Sequence, residues 1–195
     1  MIWNLPNILT LLRLLASPAL AVMFLYFDRP YADWFALILF AGASLTDWID
    51  GYLARAWKQE TKMGAMMDPI ADKAMVVIAL MILVGYAQEH WTPWLVLPAT
   101  VILFREVFVS GLREFLGDVA GTLKVTKLAK WKTTAQMVAI AVLFAQGIFE
   151  HYGNRAGAEW TGNVGLVLIW IAAALTLITG IDYLRKAMPH LKETR

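Results

Sequence analysis

The chain has 195 residues, of which 59% are hydrophobic and only 16% are charged. Soluble domains are usually about 25% charged, so this chain has too few charges to cover a globule of its size, which predicts an integral membrane protein. The lack of cysteine excludes disulfides, thiol catalysis and Cys-ligated metal sites, and the net charge of +2 is too small to indicate nucleic-acid binding.

Six apolar runs, each bounded by charges or turn residues, predict an all-α fold with six transmembrane helices. In chain order the runs cover residues 8–27, 33–55, 66–88, 92–115, 131–149 and 161–184. A bilayer core of about 30 Å requires about 20 helical residues. Three runs have shorter cleanly apolar parts and continue into charged residues: Trp34–Thr46, Ala74–Ala87 and Trp91–Phe104.

The chain is therefore expected to be a single six-helix membrane domain over residues 1–195, with residues 1–6 as a short interfacial segment and residues 185–195 as a tail. If the helices alternate in direction, the charged helix ends lie on one side of the membrane. With both termini on that side, the opposite loops contain only two basic residues, Arg29 and Arg155. Cytoplasmic loops retain Lys and Arg, so both termini, the tail and a polar cavity are predicted to face the cytoplasm.

Two of the predicted helices carry regularly spaced acidic residues. Asp47 and Asp50 are three residues apart on the second helix, and Gly64, Asp68 and Asp72 recur every four residues at the start of the third. Each set occupies one stripe of its helix, so two facing helices would bring four carboxylates together. Such a cluster requires compensating cations, and oxygen ligands favour hard divalent ions such as magnesium, manganese or calcium.

Small residues and an arginine accompany the acids. Gly51, Ala54 and Gly64 keep the facing surfaces small, which lets a bulky ligand or another backbone approach closely. Arg55 adds a fork-shaped donor that suits a phosphate. Together with the acids and two metal ions, these small residues and the arginine predict a site that binds a diphosphate. The alternative, solvated acids at a helix end, accounts for the acids of the second helix alone but not for two matched stripes.

The combined pattern resembles, without a departure, the signature of the CDP-alcohol phosphotransferases, integral membrane enzymes of phospholipid synthesis. In this sequence the motif reads Asp47-x2-Asp50-Gly51-x2-Ala54-Arg55-x8-Gly64-x3-Asp68-x3-Asp72. The resemblance implies the family fold of six transmembrane helices with cytoplasmic termini. It also implies displacement of CMP from a CDP-linked lipid by an alcohol, and assembly as a homodimer.

The same resemblance implies a role for each motif residue. Two divalent ions per active site, Mg²⁺ or Mn²⁺, would be bound by the four aspartates Asp47, Asp50, Asp68 and Asp72. The CDP group would be contacted by Asp47, Gly51, Ala54, Arg55, Gly64 and Asp68. Asp72 would also be the catalytic base.

Four further stretches resemble the bacterial phosphatidylglycerophosphate synthases within this family: Asn4–Arg13, Arg105-Glu106, Arg113-Glu114 and Lys130–Gln136. That resemblance implies CDP-diacylglycerol as donor, glycerol 3-phosphate as acceptor and the bacterial inner membrane as location. Membrane lipid would then surround the chain. The alternative acceptors within the family are inositol phosphate, serine and phosphatidylglycerol.

The basic residues of these stretches agree with an anionic acceptor. Arg105 and Arg113 are eight residues apart, close to one helical face, and Lys130 and Lys132 enter the next helix from the same side. These four residues are the candidate ligands of the acceptor phosphate. The alternatives are anchoring of the lysines against anionic lipid and an ion pair between Arg105 and Glu106 or another acid.

A polar stripe marks the first helix, where Asn7, Thr10 and Arg13 recur every three residues among apolar neighbours. Arg13 could neutralise a motif carboxylate or meet substrate directly, and a helix–helix contact without chemistry is the alternative for Thr10. All three are predicted to support the site. A cation transporter is the rival from another class of protein, but a transporter should show paired halves, and the acidic motif has no second copy.

Overall fold

The computed structural model describes residues 4–56, 61–87, 92–117, 121 and 127–191, and within these ranges the side chains at 6, 44–45, 47–56, 92, 127 and 129–130 lie outside the description. The described residues form six long helices and no strand. The helices are α1 (Leu5–Tyr26), α2 (Tyr31–Ala56), α3 (Lys62–Gly85), α4 (Thr92–Leu116), α5 (Lys127–His151) and α6 (Arg155–Leu191). The predicted all-α fold is confirmed, and each helix overlaps one of the predicted runs, with α6 continuing to Leu191 into the residues predicted as a tail.

Four of these helices are long and apolar enough to cross a membrane, judged within the described part of the chain. The four candidate spans are Asn7–Tyr26, Pro93–Leu116, Trp131–His151 and Arg155–Leu191. In α2 the apolar stretch Tyr31–Ala43 is shorter, and in α3 three charged residues interrupt the first half: Asp68, Asp72 and Lys73. The helices therefore establish a membrane protein, while six complete spans remain a prediction.

Local hydrogen bonds explain why two helices begin earlier than predicted. The side chain of Asn4 accepts a hydrogen bond from the Asn7 N–H at 3.0 Å, and this N-cap starts α1 at Leu5. Thr61 caps α3 in the same way, because its hydroxyl accepts from the Gly64 N–H at 3.0 Å. Gly64 and the two acids that follow it therefore lie in the first three turns of α3.

The helices pack into one bundle around a common apolar core. α1 lies against α2 and α3, α5 lies against α2 and α6, and α6 also packs along α4. All six helices contribute buried side chains to the main core, among them Leu20, Phe40, Met75, Ile102, Phe144 and Ile169. A smaller apolar cluster joins α4 to α6 through Val109, Leu116, Tyr183 and Ala187. The contact between α1 and α3 positions the acidic motif.

At the α1–α2 connection, Arg29 pairs with Asp33, which is fully buried. Arg29 donates from Nε and Nη2 to the two carboxylate oxygens, both at 2.6 Å, and this bond raises the pKa of Arg29. Gly147 of α5 makes room for the pair, because a Cβ there would lie 1.8 Å from Arg29 Nη2. A side chain at this position must therefore displace the guanidinium.

Gly147→Ala is expected to destabilise the bundle, because Asp33 would be left buried without its partner, at a cost of about 3 kcal/mol. The measurement is thermal unfolding of the detergent-solubilised protein. Gly42→Ala is the matched control, since a Cβ on Gly42 meets no described atom within 4 Å and alanine favours helix. An unfolding temperature of Gly147→Ala equal to that of the unmodified protein would contradict the expectation.

Candidate active site

The start of α1 packs closely against the start of α3. A Cβ on Gly64 would lie 2.6 Å from Asn7 Oδ1, so a glycine at this position lets the two helices approach. The Thr61 hydroxyl donates a hydrogen bond to the same Asn7 oxygen at 3.0 Å. Asn7 is thereby fixed against the N-terminus of α3, and it sets the register of the two helices.

The next two polar residues of α1 meet the two acids of α3. Thr10 donates its hydroxyl to Asp68 Oδ1 at 2.5 Å. Arg13 Nη1 donates to Asp72 Oδ1 at 3.0 Å, and its Nη2 lies 3.5 Å from Asp68 Oδ1. Thr10 and Arg13 are buried, whereas the side chains of Asp68 and Asp72 keep exposed fractions of 51% and 40%. One side of each carboxylate is thus held by α1, and the other side remains accessible.

The other half of the motif lies on α2, which is helical through Ala56. The side chains of these motif residues lie outside the described residues: Asp47, Asp50, Gly51, Ala54 and Arg55. Among the side chains that are described, no group of three or more His, Asp or Glu could hold a metal ion. Asp68 and Asp72 supply two accessible carboxylates. Carboxylate oxygens suit a hard divalent ion, so these two residues fit part of an oxygen-only metal site.

The basic residues predicted to bind the acceptor phosphate fall into two groups. Arg105 and Lys132 both turn onto Glu106: Arg105 Nη1 donates to Glu106 Oε1 at 3.1 Å, and the Lys132 ammonium donates to the same oxygen. Lys73 of α3 donates to the Ser110 hydroxyl, which donates to the Glu106 carbonyl oxygen at 2.6 Å. The ion pair between Arg105 and Glu106, one of the sequence alternatives, is present.

Arg113 is placed differently. Its side chain is exposed, and its guanidinium carbon lies 5.2 Å from the centre of the Tyr183 ring on α6. The buried Tyr183 hydroxyl makes no hydrogen bond with a described residue. Lys130, the fourth predicted cation, has its side chain outside the described residues. Of the three predicted phosphate ligands whose side chains are described, Arg113 is therefore exposed, whereas Arg105 and Lys132 belong to a network around Glu106.

Sequence reasoning did not single out Thr61, Lys73, Ser110 or Tyr183 as parts of this region. Thr61 could have been found from the sequence, because a threonine directly before a helical pattern is a common N-cap. Tyr183 could not, since its contact with Arg113 joins residues that are far apart in the sequence.

The sequence matches the family model described as CDP-alcohol phosphatidyltransferase over residues 3–178. A protein of Cereibacter sphaeroides is 61% identical, with 99% of both chains covered. A protein of Pseudomonas fluorescens is 42% identical over 97% of this chain and 92% of its own length, and one of Haemophilus influenzae is 38% identical over 97% and 96%. All three relatives are named CDP-diacylglycerol--glycerol-3-phosphate 3-phosphatidyltransferase. Together with the acidic stripe that α1 holds in place, these matches show that the chain belongs to the CDP-alcohol phosphatidyltransferase family.

Proposed function

We propose that the chain transfers a phosphatidyl group from CDP-diacylglycerol to the primary hydroxyl of glycerol 3-phosphate, giving phosphatidylglycerophosphate and CMP. The substrates are those in the names of relatives that match nearly the full chain. The structural observation that carries the proposal is the contact of Thr10 and Arg13 with Asp68 and Asp72. This contact presents two half-exposed carboxylates at one end of a membrane bundle, where such groups are costly unless they have a task.

Asp68 and Asp72, with Asp47 and Asp50 of α2, would hold the divalent metal on which the family generally depends, proposed here as two Mg²⁺ or Mn²⁺ ions. When bound, the metal neutralises the diphosphate and the charge that develops on phosphorus. Asp68 fits such a role because its Oδ2 accepts no hydrogen bond from a described residue, while Thr10 fixes Oδ1.

Asp72 is the proposed general base. Arg13 holds its Oδ1, and this fixes the carboxylate relative to the bound donor. Asp72 takes the proton of the attacking hydroxyl as the hydroxyl oxygen forms a bond to the phosphatidyl phosphorus. The bond from that phosphorus to the CMP oxygen breaks, and CMP leaves with the electron pair.

The CDP group is proposed to lie against the small residues of both motif helices, with Arg55 donating to the diphosphate. The proposed contacts are Asp47, Gly51, Ala54, Arg55, Gly64 and Asp68. Gly64 is buried against Asn7 Oδ1 and the Thr61 hydroxyl, so the close contact of α1 and α3 accounts for this glycine, and its contact with CDP is proposed from the family resemblance.

We further propose that α2 and α3 also cross the membrane, which completes six spans in the bacterial inner membrane. They contain 26 and 24 residues, more than the roughly 20 that a span requires. The basic residues favour cytoplasmic termini and a cytoplasm-facing cavity. Assembly as a homodimer surrounded by membrane lipid is proposed from the family resemblance.

The acceptor phosphate is proposed to bind Arg113 together with Arg105, Lys130 or Lys132. Arg113→Ala should raise the KM for glycerol 3-phosphate roughly 10- to 150-fold, the loss expected for one charge-assisted hydrogen bond, and hardly change the KM for CDP-diacylglycerol. Arg113→Lys should restore little, because lysine lacks the planar fork that the ring of Tyr183 supports.

Arg185→Ala is the control for Arg113→Ala, since Arg185 is also an exposed arginine and lies two residues after Tyr183, the contact of Arg113 on α6. It should leave both KM values unchanged. If Arg113→Ala and Lys132→Ala both leave the acceptor KM unchanged, these cations do not bind the acceptor, and Lys132 is only the buried ion-pair partner of Glu106.

The proposed function is tested by incubating the purified protein with labelled CDP-diacylglycerol and a panel of alcohols. Glycerol 3-phosphate should give labelled phosphatidylglycerophosphate, and free glycerol should be a very poor substrate because it has no phosphate for the cations. Equal turnover with glycerol or serine would refute glycerol 3-phosphate as the acceptor while leaving the family reaction intact.

A further inference from the structure

Glu106 lies where three helices each contribute a cation. Its Oε1 accepts hydrogen bonds from Arg105 on its own helix and from Lys132 on α5. Lys73 of α3 reaches the same turn of α4 through the Ser110 hydroxyl. Glu106 and Lys132 are buried, so this is an internal ion network and not a surface ion pair.

The network carries more positive than negative charge among the described residues. Two cations bond to this one carboxylate and Lys73 is linked to the same turn through Ser110, which leaves two positive charges without an anion in the described part of the chain. Uncompensated charge is expensive inside an apolar bundle. A phosphate that carries two negative charges would balance it.

The cations keep unused hydrogen-bond donors while they contact Glu106. Arg105 and Lys132 each direct one donor to the same oxygen, although arginine has five N–H donors and an ammonium has three. The buried Arg105 Nε has no partner among the described residues. Each cation therefore keeps donors for a phosphate beyond the one that it gives to Glu106.

The stem of Arg105 is also confined by α6. A Cβ on Gly180 would lie 2.9 Å from Arg105 Cγ, so α6 packs directly over the arginine. With Gly180 on one side and Glu106 on the other, the guanidinium has little freedom to reorient. Lys132 has a flexible stem, and its contact with Glu106 fixes the position of the ammonium.

We propose that Glu106 is a positioning residue for the acceptor: it holds Arg105 and Lys132 so that their remaining donors converge on the acceptor phosphate. This inference rests on the proposed function. Pre-ordering removes part of the entropy cost of immobilising long side chains when the ligand binds. A carboxylate near a phosphate also repels it. If Glu106 instead competes with the phosphate for the two cations, its removal should lower the acceptor KM and not raise it.

The test compares Glu106→Gln, which removes the charge and keeps the shape, with Glu106→Asp, which keeps the charge. Glu106→Gln should raise the KM for glycerol 3-phosphate about tenfold and leave the KM for CDP-diacylglycerol within about twofold, because only the acceptor cations lose their orientation. Glu106→Asp should lie between Glu106→Gln and the unmodified protein. Glu114→Gln, the same change at an exposed acid of the same helix, should behave as the unmodified protein.

A double-mutant cycle separates positioning from general loss of structure. In a Lys132→Gln background, adding Glu106→Gln should raise the acceptor KM less than it does in the unmodified protein, because part of the effect passes through Lys132. If Glu106→Gln alone does not yield folded protein, the raised acceptor KM of Glu106→Asp with an unchanged donor KM carries the test.

An unchanged acceptor KM in folded Glu106→Gln would overturn the inference and leave Glu106 a structural counter-ion. A lower acceptor KM would overturn it in favour of competition with the phosphate. Failure of the unmodified protein to use glycerol 3-phosphate would instead refute the proposed function. The two failures are therefore distinguishable in one set of measurements.

Discussion

Asp72→Asn is expected to reduce the turnover number by about two orders of magnitude or more, the usual scale of removing a general base. The amide cannot take the proton of the attacking hydroxyl, and it no longer pairs with Arg13 as a charged partner. Binding of CDP-diacylglycerol should be largely retained if the remaining acids still hold metal. The measurement is CMP release at saturating substrate, with donor binding measured in parallel.

Asp182→Asn is the matched control for Asp72→Asn. Asp182 is also a helical aspartate, its carboxylate pairs with Lys186 at 2.6 Å, and its side chain is 41% exposed, close to the 40% of Asp72. Its replacement should leave turnover near normal. Near-normal turnover by Asp72→Asn with metal present would rule out the base assignment, and loss of donor binding alone would make Asp72 mainly a metal ligand.

Removal of divalent metal should abolish activity, and Mg²⁺ or Mn²⁺ should restore it. Arg13 is shared between Asp68 and Asp72, and even with Arg55 on the diphosphate two guanidinium groups cannot neutralise four motif carboxylates and a bound diphosphate. The measurement is CMP release after addition of excess chelator, followed by metal replacement. Chelator already loaded with Mg²⁺ is the control and should not inhibit. Full turnover in excess free chelator would contradict a metal-dependent site.

The polar stripe of α1 shows how far helical periodicity predicts a site. The spacing of Asn7, Thr10 and Arg13 places them on one face of a helix. In the structure all three lie on α1 and contact α3 or its N-cap. Periodicity does not say which helix the face meets, because the contact joins residues more than 50 positions apart. The structure adds that Thr10 contacts Asp68 and that Arg13 bridges both acids.

The two arginines of α4 show a limit of the same reasoning. Their spacing of eight predicts one helical face, and both do contact α6, Arg105 beside Gly180 and Arg113 over Tyr183. Eight residues also span about 12 Å along a helix, so the two side chains begin far apart. Arg105 donates to Glu106, which also accepts from Lys132 of α5, and the spacing of the two arginines does not reveal this contact between helices.

Hydropathy supports only part of the prediction of six spans, and the reason is the composition of the candidate site. Hydropathy identifies α1, α4, α5 and α6, whose apolar windows are long enough to cross a membrane. In α3 the charged residues of the candidate site interrupt the apolar stretch. Hydropathy alone therefore does not identify α3 as a span, and six spans stay a prediction.

The most direct measurement is the stoichiometry of one reaction that contains purified protein, CDP-diacylglycerol, labelled glycerol 3-phosphate and Mg²⁺. We predict that CMP and labelled phosphatidylglycerophosphate form in equal amounts and that neither forms with the Asp68→Asn, Asp72→Asn double variant. Release of CMP without label in the lipid would show hydrolysis instead of transfer. That result, or labelled lipid formed at the normal rate by the double variant, would contradict transfer at this acidic site.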